Sequence, residues 1–256
     1  MEIEKVLPSE VGNELSRFPL HHAIPLSIIR IDKRGQTKSI NNGTLSLIQC
    51  GIRKFGLTNY HVYSEFLKGH EEFSTRIYLG SEDFTGRIQL ISMSEAHDLV
   101  SLDLSDISEA DLSSEGDIPT SFFRITSFSE AEVKEGDWLT LGGYPGEFRE
   151  QDGHREFSYF SFSYGGAEVN FSDTHRIYTE FDIGSCMKSG VKSDGEIPDL
   201  GGLSGCPAFV PRTSEAGFLF YQFAGVFYEF GDLFQVAKLK PASLISDQGV
   251  IADEVT

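Results

Sequence analysis

Short runs of alternating apolar and polar residues, broken by Gly, Asn, Asp and Ser, dominate the chain from Pro25 onward. That period of two predicts half-buried strands. In the first half the pattern gives strands over Pro25–Ile31, Thr44–Cys50, Lys54–Thr58, Arg76–Leu79, Arg87–Met93 and Leu99–Leu104. In the second half it gives Trp138–Gly142, Phe157–Phe162, His175–Phe181, Ala208–Val210 and Phe218–Phe227. Helical signals are few: a short segment through Val11–Phe18, and Pro241–Ser246, where proline suits a first helical position.

Residues 105–117 separate the two strand sets and are rich in Ser and acidic residues, as an exposed connection would be. The expected organisation is an N-terminal extension over 1–20, a first β unit over 21–104, a linker and loop over 105–135, a second β unit over 136–240, and a short helix with tail over 241–256. Two sets of about six strands predict an all-β fold with few short helices, either two antiparallel six-stranded barrels or a folded sandwich. No internal repeat or low-complexity tract interrupts this pattern.

At 256 residues, 39% hydrophobic and 12% aromatic, the chain can bury a sizeable core. Its net charge of −18 repels phosphate backbones and anionic lipid surfaces, so neither nucleic acid nor membrane is an expected partner. The acidic start, Met1-Glu2-Ile3-Glu4-Lys5, lacks the pattern of a secretory signal, and no apolar run approaches the ~20 residues that cross a bilayer. Three cysteines, Cys50, Cys186 and Cys206, suit buried thiols in a reducing compartment better than a disulfide framework, and cytoplasmic location is the expectation. No Cys or His spacing matches a metal site, so no metal and no cofactor are expected.

Three polar positions at strand edges carry candidate chemistry: His61 in Asn59-Tyr60-His61, Asp98 in His97-Asp98-Leu99, and Ser204 in Gly202-Leu203-Ser204-Gly205. The order His, Asp, Ser is one of the three known for a nucleophilic triad. A hydroxyl is a weak nucleophile unless a base lies within hydrogen-bond reach and a third group orients that base. His61 is the candidate base, Asp98 the orienting carboxylate and Ser204 the nucleophile. The neighbouring glycines leave backbone N–H groups accessible to a developing oxyanion, and Gly202 and Ser204 are the expected donors. An α/β-hydrolase would place its histidine after its serine, yet no histidine follows His175; a subtilisin-type order would place aspartate first. His97, adjacent to Asp98, is expected to be a loop or surface residue. Cys206 precedes Pro207 and lacks the flanking glycines of Ser204, which favours the serine.

Four segments bear a family resemblance. Gly56-Leu57-Thr58-Asn59-Tyr60-His61-Val62, His97-Asp98-Leu99-Val100-Ser101-Leu102, Gly142-Gly143-Tyr144-Pro145-Gly146 and Gly201-Gly202-Leu203-Ser204-Gly205-Cys206-Pro207-Ala208-Phe209 together resemble trypsin-like serine peptidases of the bacterial intracellular type, without an appended binding domain. The resemblance spans residues 22–245 and implies a chymotrypsin-type fold. Base and carboxylate would lie on the first of two barrels and the serine on the second, with the active site in the cleft between them. It further implies a serine endopeptidase acting through an acyl-enzyme intermediate on protein or peptide substrates.

The family's primary pocket would be walled by Pro198, Asp199 and Gly201 before the serine, and by Tyr228, Glu229 and Phe230 on the following strand. Leu203 stands where secreted members carry the aspartate that captures a new N-terminus, and Pro198 stands where trypsin has its pocket aspartate. Neither that activation nor a Lys or Arg preference follows. Any targeting or activation would come from a protein partner or from the loops 105–135 and 146–175. The alternative is a catalytically silent relative that binds peptide in the same cleft.

Overall fold

The structure, a computed structural model, describes residues 14–68, 73–112, 118–128, 132–146, 149–152, 156–159, 161–181, 187–189, 200–231 and 235–252. Seven strands precede residue 104: β1 (Ala23–Asp32), β2 (Thr37–Cys50), β3 (Arg53–Thr58), β4 (Phe73–Leu79), β5 (Glu82–Asp83), β6 (Gln89–Ser94) and β7 (Leu99–Asp103). Helix α1 (Tyr60–Leu67) follows β3. Then come β8 (Phe123–Ile125), β9 (Trp138–Gly143), β10 (Arg149–Asp152), β11 (Glu156–Tyr159), β12 (Ser161–Ser172), β13 (Ile177–Glu180), β14 (Met187–Ser189), β15 (Pro207–Thr213), β16 (Leu219–Gly231) and β17 (Val236–Pro241). A single 3₁₀ turn, Ala242–Leu244, stands where the C-terminal helix was expected. No helix among the described residues is long and apolar enough to cross a membrane.

The second sheet closes on itself. Its order is β13-β17-β16-β15-β9-β12, and β12 pairs back onto β13, giving a closed six-stranded barrel. Its core includes Leu139, Leu141, Phe162, Val169, Phe181, Phe227 and Leu239. The first sheet runs β5-β4-β1-β2-β3-β7-β6, with β8 added in parallel to β2. It curls around Ile24, Leu26, Leu45, Leu47, Ile77 and Leu102. Contrary to the expectation of a second barrel, no ladder joins its ends among the described residues. Strand β5 is only two residues long, and Phe84 and Ile88, which follow it, pack into the sheet's apolar cluster.

A third apolar cluster joins the halves. Ile48, Phe55, Leu57 and Leu99 from the first sheet pack with Phe209, Phe223 and Val226 from the second. Phe18, in the 3₁₀ helix Phe18–His22, stacks on Tyr221 at 3.5 Å and lies edge-on to Phe209 at 5.2 Å, pinning the start of the described chain to this seam. Residues 105–135, read as linker and loop, contribute β8 and so belong partly to the first sheet.

His22 lies in the same seam, its Nδ1–H donating to the Ser121 carbonyl at 3.0 Å. Burial lowers its pKa from 6.5 to about 4. Between those values the unfolded chain binds a proton that the folded chain refuses. The stabilisation is therefore whole above pH 6.5 and declines as pH falls toward 4, by up to about 3 kcal/mol. Urea unfolding at pH 7 and pH 4.5 should show a steeper loss in the wild type than in His22→Gln.

Candidate active site

Strand β3 ends at Thr58, Asn59 is extended, and the chain turns into α1 with His61 as its second residue. Strand β7 pairs beside β3, with Thr58 opposite Val100, so the turn preceding β7 delivers Asp98 next to that helix start. Asp98 has a φ of +51°, a left-handed conformation uncommon outside glycine. Its carboxylate accepts from two donors of one residue: the His61 backbone N–H at 2.9 Å through Oδ1, and Nδ1–H at 2.7 Å through Oδ2. With Nδ1 bearing a proton, Nε2 faces the Ser204 hydroxyl at 3.0 Å and can accept its hydrogen. The His61 side chain is 50% exposed, whereas that of Asp98 is 23% exposed. One hydrogen-bonded chain thus joins the three residues across the two sheets.

Ser204 owes its position to β2. The Thr44 amide donates to the Ser204 carbonyl at 2.8 Å. The Thr44 hydroxyl donates to the Gly202 carbonyl at 2.9 Å and accepts from the Tyr144 amide at 3.0 Å. The Ser46 hydroxyl donates to the Gly205 carbonyl at 2.7 Å. All three loop carbonyls are therefore turned toward the first sheet. Among the described residues, neither the Gly202 nor the Ser204 backbone N–H donates to a backbone carbonyl.

Two glycines make this approach possible. Gly205 has φ +95°, and a Cβ there would run into the Thr44 carbonyl and meet the Thr58 hydroxyl at 2.6 Å. Gly202 has φ +98°, and a Cβ there would strike the Gly146 amide and lie 2.9 Å from the Tyr144 carbonyl. Both positions combine a conformation that disfavours side chains with backbone contact.

The pocket-wall expectations meet the structure unevenly. Pro198 and Asp199 lie outside the described residues. The Gly201 carbonyl accepts from the Gly146 amide at 2.7 Å, tying the loop to the turn after β9. Tyr228 is half-buried beneath the Lys240 ammonium, which sits 4.5 Å from its ring centre. Desolvation raises the Tyr228 phenol to about 12, helped by neighbouring Tyr178 and the carboxylates of Glu229 and Asp98. Glu229 is ion-paired with Lys238 at 2.7 Å. Phe230 packs on the barrel core against Phe181, with ring centres 5.4 Å apart, which makes it a packing residue first.

His97 lies in the turn before β7, as a loop residue, but it is buried rather than at the surface. It is 3% exposed, and its ring lies parallel to that of His175 at 5.9 Å, because the turn before β12's partner strand β13 folds over the Asp98 corner. Cys206 is fully buried and burial pushes its thiol well up, leaving it unsuited to act as a thiolate. Cys50 donates weakly to the Thr126 carbonyl at 3.4 Å. Cys186 lies outside the described residues. No group of three or more His, Cys, Asp or Glu side chains that could hold a metal occurs among the described residues. Thr44 and Ser46 went unrecognised in the sequence, since alternation marks them only as strand residues.

No protein-family model matches the chain, and no curated protein matches it. Among solved structures it is similar to a thermostable serine protease AL20 from an extremophilic microorganism, at 11% identity over 86% of this chain and 90% of that one, with a TM-score of 0.43. It is also similar to tobacco vein mottling virus protease, at 10% identity over 94% of this chain and 82% of that one, with a TM-score of 0.43. At that level neither neighbour carries a role over to any residue here.

Thr44→Val keeps the shape of the side chain and removes both of its hydroxyl's hydrogen bonds. The Gly202 carbonyl and the Tyr144 amide would be left without them, at about 1–3 kcal/mol for each buried group. Urea unfolding should show that loss as a lower midpoint with an unchanged slope.

Proposed function

We propose that this chain is a serine endopeptidase whose catalytic residues are Ser204, His61 and Asp98. The observation that carries this reading is the uninterrupted hydrogen-bonded sequence from the Asp98 carboxylate through both ring nitrogens of His61 to the Ser204 hydroxyl. A structural histidine needs one satisfied nitrogen; this one is held by a carboxylate on one side and offers an acceptor to an accessible hydroxyl on the other.

In the reaction, His61 Nε2 takes the Ser204 proton as Oγ attacks the scissile carbonyl carbon. The Asp98 carboxylate keeps Nδ1 protonated and stabilises the imidazolium without itself taking the proton. The carbonyl oxygen becomes an oxyanion facing the Gly202 and Ser204 N–H groups, each such donor being worth about 2.7–4 kcal/mol in the transition state. His61 then protonates the leaving amine, and the tetrahedral species collapses to an acyl-Ser204. Water, deprotonated by His61, releases the acid and restores the serine. Beyond the substrate and one water, every group in this cycle belongs to the chain.

Protein or peptide is the substrate class, and Tyr228 and Glu229 border its path next to the serine. The buried, unpaired thiols of Cys50 and Cys206 suit a reducing cytoplasm. Incubation with a peptide library derived from a digested proteome, read by mass spectrometry of new termini, should reveal cleavage by wild type and none by Ser204→Ala. Cleavage that persists in Ser204→Ala would refute the assignment. Peptide retention by a wild type that never cleaves would favour the silent peptide-binding relative.

A further inference from the structure

Helix α1 is capped in an unusual way, and the consequence reaches Asp98. Asparagine at the position before a helix ordinarily turns its side-chain oxygen back to a first-turn N–H. Asn59 occupies that position and makes no such bond. The first-turn N–H of His61 is taken instead by Asp98 Oδ1, at 2.9 Å. Asn59 points its amide the other way, and Nδ2 donates to the main-chain carbonyl of Asp98 at 2.8 Å. The two residues have exchanged duties: the aspartate caps the helix, and the residue at the cap position holds the aspartate.

Asn59 is fully buried, and its Oδ1 has no hydrogen-bonding partner. Turning the amide over would set that oxygen against the Asp98 carbonyl, so the donor's direction is chosen by what it binds. A buried polar atom left unpaired is a cost that persists where the other half of the group does something necessary. What the donor touches here is the peptide carbonyl of a non-glycine residue at φ +51°. On its other side, the Asp98 amide donates to the Glu95 carbonyl at 3.1 Å. Rotation of the Asp98 main chain out of this conformation would carry its carboxylate away from both His61 donors at once.

We infer that Asn59 is a positioning residue: it pins the Asp98 carbonyl, holds that residue left-handed, and so aims both carboxylate oxygens at His61. The inference rests on the reading of His61, Asp98 and Ser204 as the catalytic residues. Asn59 touches neither substrate nor serine and acts only through Asp98. It is also reachable by topology, since Asn59 follows β3 and Asp98 precedes β7, its antiparallel neighbour.

A double-mutant cycle tests it, using Asn59→Ala, Asp98→Asn and the double variant, with the rate of adduct formation by a fluorophosphonate as one readout. The second readout is the ¹H NMR resonance of the proton on His61 Nδ1, recorded with no probe present. Asn59→Ala should slow labelling about 10- to 100-fold. In the Asp98→Asn background the same change should cost less than about twofold, because residues acting as a unit are not additive. The His61 Nδ1 proton, far downfield in the wild type, should move upfield in Asn59→Ala while cooperative thermal unfolding is retained. Should Asn59→Ala fail to fold, the near-isosteric Asn59→Leu, which has no donor and no charge, should give the same shift.

Equal slowing in both backgrounds, or an unmoved resonance in a folded variant, would overturn the inference. A wild type that takes up no label would instead count against the enzyme reading, and the resonance would then decide the role of Asn59 by itself.

Discussion

The grip of one strand on one loop is the constraint from which the rest of the site follows. Thr44 and Ser46 on β2 turn the carbonyls of Gly202, Ser204 and Gly205 toward the first sheet with three hydrogen bonds. The Gly202 and Ser204 N–H groups belong to the neighbouring peptide units, whose carbonyls, those of Gly201 and Leu203, accept from the Gly146 and Cys206 amides; a peptide unit with its carbonyl committed to one side directs its N–H to the other. The loop that carries Ser204 is thus also the loop that joins the two sheets. The close approach explains why glycine stands at 202 and 205, where a Cβ would meet backbone atoms.

On the first-sheet side of Ser204 the geometry is set by a second backbone exception. Asp98 is left-handed, and its carboxylate addresses the main chain and the ring of His61 together. Two bonds from one carboxylate fix both where the helix begins and how the imidazole is turned. Neither depends on long flexible side chains, which limits the entropy lost in holding the arrangement. The apolar seam of Phe55, Leu57, Phe209 and Phe223 keeps the two sides at a constant separation beneath it.

Much of this was legible in the alternation of the sequence, and the gaps have physical causes. Apolar runs bounded by turn residues locate strands such as β1, β3 and β7, which are buried along most of their length. They say nothing about which strands pair, so the closed barrel of β9, β12, β13, β15, β16 and β17 and the open ladder of the first sheet look alike along the chain. Strand β17 was missed because Val236-Ala237-Lys238-Leu239-Lys240-Pro241 is short, carries two lysines and ends in proline, although Lys240 is buried. Helix α1 went unread because Tyr60–Leu67 is short and β-rich in composition, though Asn59 stood at its start as a cap signal. His61, Asp98 and Ser204 could be picked out as polar residues at the ends of apolar runs. Thr44, Ser46 and Asn59 could not, since their work lies in bonds to distant backbone that no local pattern records.

The central claim is that the geometry across the cleft makes Ser204 an activated nucleophile. Intact-mass analysis after exposure to a fluorophosphonate measures this most directly, comparing wild type with Ser204→Ala and His61→Ala. The account predicts one adduct per wild-type chain, located on Ser204, absent from Ser204→Ala and slowed by orders of magnitude in His61→Ala. A folded wild type that remains unlabelled, or an adduct on any other residue, would contradict it.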